Sequence, residues 1–306
     1  MTQKLWRGVF PIAPTPFLPD GRVDFASLEK LVDHYAAIGA SGCTILGILG
    51  EAPKLDSAES LDIVKACVRR APMPFIVGVS APGFAAMRAL ARGAMEAGAA
   101  GVMIAPPSHL RTDDSIVGYY ALAVEAIGAD APFVIQDYPL TLSVVMTPGV
   151  IARIVNDNPS CVMLKHEDWP GLEKISALRG LQREGRMRPI SILTGNGGLF
   201  LDFETERGAD GAMTGYAFPE MLIDVLSLPR DEAHDLFDAH LPLLRYEQQP
   251  GAGLAVRKYV LMKRGLLAHD SQRKPAASMS ATARAEVDYL LGRLARRDPR
   301  AASACA

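Results

Sequence analysis

Eight short apolar runs, each followed by a stretch with helical periodicity, constrain this chain more than any other feature. The runs are GVFPIAP (8–14), CTIL (43–46), FIVGV (75–79), GVMIAPP (101–107), FVIQDYP (133–139), CVMLK (161–165), ISILTG (190–195) and GAMTG (211–215). They are apolar rather than strictly alternating, the pattern of strands covered on both faces of a parallel sheet. Between them, FASLEKLVDHYAAIGA puts Leu28, Leu31, Val32 and Tyr35 on one face, and AESLDIVKACVRR does the same with Leu61, Val64 and Val68. Gly39, Gly98 and Gly208 stand where helices should stop, and Pro148 and Pro219 where helices should begin. Eight such units at a spacing of roughly 20 to 35 residues predict an α/β fold, a (β/α)8 TIM barrel. A doubly wound open sheet is the alternative. It has fewer strands and a glycine-rich phosphate turn after the first, whereas here TPFLPDGRVD follows, and GNGG (195–198) is too short to claim a nucleotide.

Helical patterns continue beyond the last run, near 219–227, 231–247, 252–267 and 279–296. The first can close the barrel. The others predict an appended C-terminal helical layer, which divides the chain into a barrel over 1–228 and a helical extension over 229–306 packed on it. RKPAASMS (273–280) reads as a connection inside that layer, and RRDPRAASACA as a frayed end.

The 306 residues, 49% of them hydrophobic, can build a large core in one unit. The net charge is −2 with both signs interspersed, so no like-charge block points to nucleic acid or an anionic membrane surface. The start, MTQKLWRGVF, lacks the apolar core of a signal peptide, and no apolar run is long enough to span a bilayer. Cys43, Cys67, Cys161 and Cys305 are scattered, which fits neither a disulfide framework nor a zinc site and places the chain in a reduced cytoplasm. No pair of histidines has metal-ligand spacing near a carboxylate, so no metal is expected.

In such barrels the chemistry sits at the C-terminal ends of the strands. Those ends supply Thr15, Glu51, Ser80, Ser108 and His109, Gln136–Asp137–Tyr138, Lys165–His166–Glu167, Thr194 and Asn196, and Thr214 and Tyr216. Lys165 and Tyr138 end neighbouring strands, so both can face one cavity. A lysine in a barrel mouth loses hydration, which favours the neutral amine. A neutral amine can attack a ketone and form an imine that serves as an electron sink, and a tyrosine hydroxyl beside it can move the proton. Read alone, Lys165 could equally snorkel to solvent and Tyr138 could be a core tyrosine. Glu51, after a glycine turn, suits a structural role. Asp137 should face outward, because strand neighbours alternate.

The motifs GVFPIAPTPFLPDGRVD, GILGE, APP, DYP, VMLK and GADGAMTG, in this order and spacing, resemble the dihydrodipicolinate synthase / N-acetylneuraminate lyase family of class I aldolases. The resemblance runs from about Gly8 to the C-terminal helices. It implies Lys165 as the Schiff-base lysine, so that the covalent imine needs no cofactor and no metal. It implies Tyr138 as the proton shuttle, and Gly47, Gly50 and Glu51 as the glycines and glutamate of the family's carboxylate-binding turn. Backbone N–H groups of residues 48 to 50 would then hold the 2-oxo acid carboxylate, with Gly215 near the same end. Members are usually homotetramers, so a homotetramer or dimer is expected.

The departures concern the rest of the substrate. The turn's hydroxyl residues are replaced by Ile48 and Leu49. Ser108 and His109 stand where the synthases have a tyrosine, and Thr141 stands near the place of an aldehyde-binding arginine. IQDYP, PPSH, GAMTGYAFP and LPLLRYEQQPGAGLAVRKYVLMKRG are instead similar to the 2-keto-3-deoxy sugar-acid dehydratase branch, although Tyr138 is not that branch's usual residue. The distal pocket is expected from Ser108, His109, Thr141, His166, Asn196 and Tyr216. Together these readings imply a lyase acting on a small 2-oxo acid, either a pyruvate-releasing aldolase or a 2-keto-3-deoxy acid dehydratase. Dihydrodipicolinate synthase itself, or a catalytically altered barrel that binds a ligand or regulates a partner, are the alternatives.

Overall fold

A computed structural model describes residues 5–305; residues 1–4, within the stretch read for a leader, and Ala306 of the expected frayed end lie outside the described residues. Eight parallel strands follow the eight apolar runs: β1 (Gly8–Pro11), β2 (Cys43–Ile45), β3 (Phe75–Gly78), β4 (Gly101–Ile104), β5 (Phe133–Asp137), β6 (Cys161–His166), β7 (Ser191–Thr194) and β8 (Gly211–Thr214). From β2 to β8 each strand pairs with its sequence neighbours, β1 pairs with β8, and an isolated bridge from Ile12, just past β1, to Thr44 of β2 closes the ring. The strands are short and almost wholly buried, because side chains fill the barrel inside and helices cover it outside.

Strand parity separates two apolar clusters. Phe10, Ile12, Ile76, Met103, Val134, Met163, Leu193 and Met213 fill the interior. Val9, Ile45, Val77, Val102, Ile104, Phe133, Ile135, Leu164, Ile192 and Ala212 face the helices instead. The covering helices are α1 (Phe25–Ala37), α2 (Ser57–Arg70), α3 (Phe84–Glu96), α4 (Asp113–Ile127), a short α5 (Pro139–Leu142), α6 (Pro148–Asp157), α7 (Leu172–Arg183), α8 (Leu201–Glu206) and α9 (Pro219–Val225). Local chemistry sets their limits. Asp24 caps α1 by accepting from Ser27 N–H, and Gly39 follows the helix with φ +78°. Pro148 and Pro219 occupy first-turn positions of α6 and α9.

Two details differ from the pattern reading. In α1 the predicted face of Leu28, Leu31, Val32 and Tyr35 is buried, but α2 buries Ser60, Ile63, Val64 and Cys67. Leu61 and Val68 are half-buried because they pack sideways against glycines of the next unit. A β-carbon on Gly93 would lie 2.8 Å from Leu61 Cδ1, and one on Gly98 3.3 Å from Val68 Cγ1.

After α9 come α10 (Arg230–Glu247), α11 (Gly253–Lys263) and α12 (Ala281–Leu294). The last described residues are not frayed. Residues Pro299–Cys305 form a 3-10 turn with Ala301 and Ala304 buried. Asp298 accepts from buried His240 at 2.8 Å and pairs with Arg300, which also reaches Asp224. Composition alone points to solvation; the partners that dock this end lie on α10 and α9. Among the described residues no helix is long and apolar enough to cross a membrane.

Candidate active site

The C-terminal ends of the strands open into a cavity of about 580 Å³. Pairing between β5 and β6 sets Gln136 beside Lys165 and Asp137 beside His166. Because side chains alternate, Gln136, Tyr138, Lys165 and Glu167 point inward and line the cavity. Asp137 and His166 point outward, where Asp137 Oδ2 lies 2.6 Å from Lys174 Nζ and 3.4 Å from His166 Nδ1. The outward placement of Asp137 follows the alternation. His166, expected in the distal pocket, belongs to this outer cluster because it has the parity of Asp137.

Lys165 is buried at the mouth, not snorkelling to solvent. Lost hydration is only half of its setting, since its Nζ lies 2.7 Å from Glu167 Oε2. Gln136 Nε2 donates to the same oxygen at 2.9 Å. The chain accommodates this carboxylate with a glycine: a β-carbon on Gly195 would come within 2.2 Å of Glu167 Cγ. Tyr138 is half-buried just before α5, and the solvent-exposed Leu140 and Thr141 of that helix line the same cavity. Asn196, in the left-handed region at φ +51°, donates to the Glu167 carbonyl at 3.1 Å and also lines the cavity.

The turn after β2 is tightly held. Leu46 and Glu51 both have left-handed backbones, at φ +55° and +54°. Thr15 donates to Gly50 O at 2.6 Å. The Glu51 carboxylate is buried and taken up by Lys258 at 2.6 Å, Lys54 at 2.8 Å and the Arg273 N–H at 3.2 Å. It therefore pins the turn instead of facing substrate. Burial draws Lys258 below the usual lysine range, and Glu51 opposes that pull. Gly50 N–H is spent on Gly47 O at 3.0 Å. Of the amides at 48 to 50, only those of Ile48 and Leu49 donate to no acceptor among the described residues, and these two residues line the cavity.

Ser108 and His109 are exposed in the turn after β4 and are not part of the cavity wall. Tyr216 is buried against His240, its hydroxyl 2.8 Å from Nδ1, and is also outside the wall. Gly215 is buried behind Leu49, where a β-carbon would come within 2.3 Å of Leu49 Cδ1.

Several wall residues are named at strand ends in the sequence, or not at all, without being assigned to the site. Gln136 and Glu167 share the parity of Tyr138 and Lys165, two positions away along each strand, and this signal was available. Thr214 at the end of β8, Trp169 and Leu199 add to the wall. So does the segment from Glu247 to Arg257, which joins α10 to α11 and crosses the mouth. The segment lies inside the string LPLLRYEQQPGAGLAVRKYVLMKRG that resembles the dehydratase branch, but nothing in that string says which of its residues reach the cavity. Among the described residues no cluster of histidine, cysteine and acidic groups could hold a metal ion.

A barrel with an inward lysine at the end of β6 and a tyrosine at the end of β5 can be compared with known proteins. The family model described as "Dihydrodipicolinate synthetase family" matches residues 5–293. The chain belongs to this family. As a member it is an enzyme, a Schiff-base-forming lyase acting on a small 2-oxo acid. It is 29% identical over 298 residues to an L-2-keto-3-deoxyarabonate dehydratase of Azospirillum brasilense, with 94% of each chain covered. It is 26% identical over 291 residues to a 4-hydroxy-tetrahydrodipicolinate synthase of Bifidobacterium longum, with 90% of each covered. A solved structure titled dihydrodipicolinate synthase, from Rhodopseudomonas palustris, superposes with a TM-score of 0.93 at 67% identity, covering 94% of this chain and 97% of that one.

Proposed function

We propose that this family member cleaves or dehydrates a hydroxylated 2-oxo acid through an imine on Lys165. The observation that carries the reading is the inward convergence of Lys165 and Tyr138 from adjacent strand ends, with Glu167 Oε2 2.7 Å from the amine. Glu167 stands where it can take a proton from Lys165, held for that by Gln136. The freed amine adds to the C2 carbonyl, and loss of water leaves an iminium. That iminium draws the electron pair from the C3–C4 bond, releasing an aldehyde, or from a C3–H bond, expelling a hydroxyl as water. Tyr138 moves the proton in either case. The N–H groups of Ile48 and Leu49 hold the carboxylate, and Thr141 and Asn196 meet the tail. The covalent imine takes the place of a cofactor.

Dehydration is supported by the Azospirillum relative's name, and cleavage by the tyrosine at position 138. A reaction needing groups at Ser108 or His109 in the same subunit fits less well, since neither lines the cavity. We take residues 1–228 as the barrel and 229–306 as its extension, and assembly as a homotetramer or dimer; sedimentation velocity tests the assembly. The decisive experiment is borohydride reduction with pyruvate or a 2-keto-3-deoxy acid, followed by peptide mass analysis. The expected adduct lies on the peptide holding Lys165 and is lost in Lys165→Ala. No adduct with any 2-oxo acid tried overturns the reading. A panel of 2-oxo acids scored separately for pyruvate release and for water loss then decides between the two outcomes.

A further inference from the structure

Helix α11 brings two consecutive cations to the barrel mouth, and they go to different places. Lys258 turns toward Glu51 and fastens the carboxylate-binding turn. Arg257, one residue earlier, turns into the cavity wall. Its side chain is 4% exposed, a degree of burial that an arginine reaches only when paired. Its pairing is incomplete. Arg257 Nε lies 3.2 Å from Glu247 Oε2, while its terminal nitrogens donate to no acceptor among the described residues. Glu247 is itself fully buried, and burial pushes its carboxyl up to about 7 against the pull of Arg257. A guanidinium held through Nε, with its forked end unspent and facing a cavity, has the form of a receptor for a carboxylate.

Its position identifies which carboxylate. A β-carbon on Gly215 would lie 3.4 Å from Arg257 Nε, 3.5 Å from its Cζ and 2.3 Å from Leu49 Cδ1. The guanidinium, the turn after β2 and the end of β8 therefore meet at one point. That point lies at the side chain of Leu49, whose unspent amide belongs to the same turn as that of Ile48. Ile48 and Leu49 bring no side-chain donors, and Gly50 N–H is already spent. A carboxylate bound by the turn alone would find few donors there.

We propose that Arg257 is a substrate-binding residue that clamps the C1 carboxylate of the 2-oxo acid, and that Glu247 is the positioning residue that holds its guanidinium at the wall. The inference rests on the proposed Schiff-base reading for the identity of the carboxylate.

The test uses two probes on the full chain, pyruvate and oxamate, whose amide carbonyl forms no imine. In Arg257→Gln, half-saturation of borohydride trapping by pyruvate should rise about 10- to 100-fold, the loss expected for a charge-assisted hydrogen bond. The thermal stabilisation that oxamate gives the unaltered protein should vanish. Arg257→Lys should fall between the two, and it keeps the test open if the glutamine variant does not fold. Equal half-saturation in the unaltered protein and both variants overturns the clamp. So does a loss confined to 2-oxo acids with a second acidic group, which would place Arg257 at the tail. A lowered Tm with unchanged saturation, the mark of a simple tether between α10 and α11, overturns it as well. If pyruvate gives no adduct on Lys165 yet oxamate stabilisation still depends on Arg257, the clamp stands and the imine chemistry falls. If oxamate does not stabilise the unaltered protein, the clamp falls whatever the imine result.

Discussion

Glu51→Gln should unfasten the turn after β2 without altering Lys165 or Tyr138. Glu51 and Lys258 are 1% and 0% exposed, and their 2.6 Å pair joins the turn to α11 across 207 positions of chain. In the variant, Lys258 keeps the Ser271 carbonyl at 2.8 Å and its place over the Phe17 ring, but no carboxylate. Removing one partner of such a buried pair costs about 3–5 kcal/mol. At about 2 °C per kcal/mol for a chain of this size, Tm should fall by about 6–10 °C. Burial already holds Lys258 low, and loss of Glu51 lowers it further. The folded state then sheds the lysine proton before the unfolded state does, so the deficit shrinks as pH rises toward 10.5, the ordinary lysine value. Urea denaturation at several pH values reads the stability, and pyruvate trapping reads the turn. Lys258→Met should also destabilise, while the double variant should recover at least about 1 kcal/mol relative to the sum. A Glu51→Gln protein within about 1 kcal/mol of the parent, with unchanged pyruvate saturation, would refute a turn held by buried charge.

Gly195→Ala should impair chemistry more than stability. The new methyl would sit 2.2 Å from Glu167 Cγ, so the carboxylate must leave the amine, and the rate of imine trapping at saturating pyruvate is expected to fall at least about tenfold, a loss of about 1.4 kcal/mol in barrier height. Burial raises Glu204 to about 7, with Thr194 opposing. The folded state therefore binds a proton between pH 4.5 and about 7 that the unfolded state has lost, and stability falls as pH rises through that window. Glu204→Gln should flatten the fall, gaining up to about 3 kcal/mol above pH 7, which urea midpoints at pH 5 and pH 8 check. Glu220 works in the other direction. Burial raises it, but His34 and Arg264 hold it at about 2, so its contribution is complete above 4.5 and lost as pH falls toward 2; Glu220→Gln should remove that acid-side dependence. Asp298→Ala should lower Tm by several degrees, because His240 is 0% exposed and loses its 2.8 Å partner, and limited proteolysis should then release residues 299–306. A terminus that stays protected in the variant would show that Ala301 and Ala304 alone dock it.

Where the sequence exposed the site, it did so through interruptions. Lys165 and Tyr138 stand out because each closes a short run that the barrel buries on both faces, where alternation turns a polar residue either into the mouth or, as with Asp137 and His166, toward the helices. The same periodicity of two also contained Gln136 and Glu167, which share a face with Tyr138 and Lys165. It equally removed His166 from the pocket, since Asp137 and His166 pair in register on the outer face. These residues were within reach of strand alternation alone. Glu247 and Arg257 were not. Helix α11 carries charge and apolar groups around its whole circumference, and Ala255 through Leu261 are all buried. No single face announces which neighbour each residue meets. Lys258 finds Glu51, and Arg257 comes against Gly215 and Leu49, only because the barrel has closed and the helical layer has crossed its mouth. The C-terminal residues show the same dependence, since a string of arginines and alanines reads as solvated until His240 and Asp224 are brought to it. Local pattern thus specifies the strands and the groups that end them, whereas the charges that complete a barrel mouth are specified by closure. For that reason any contact that the last helices add to those of the turn after β2 is legible only once the barrel has closed.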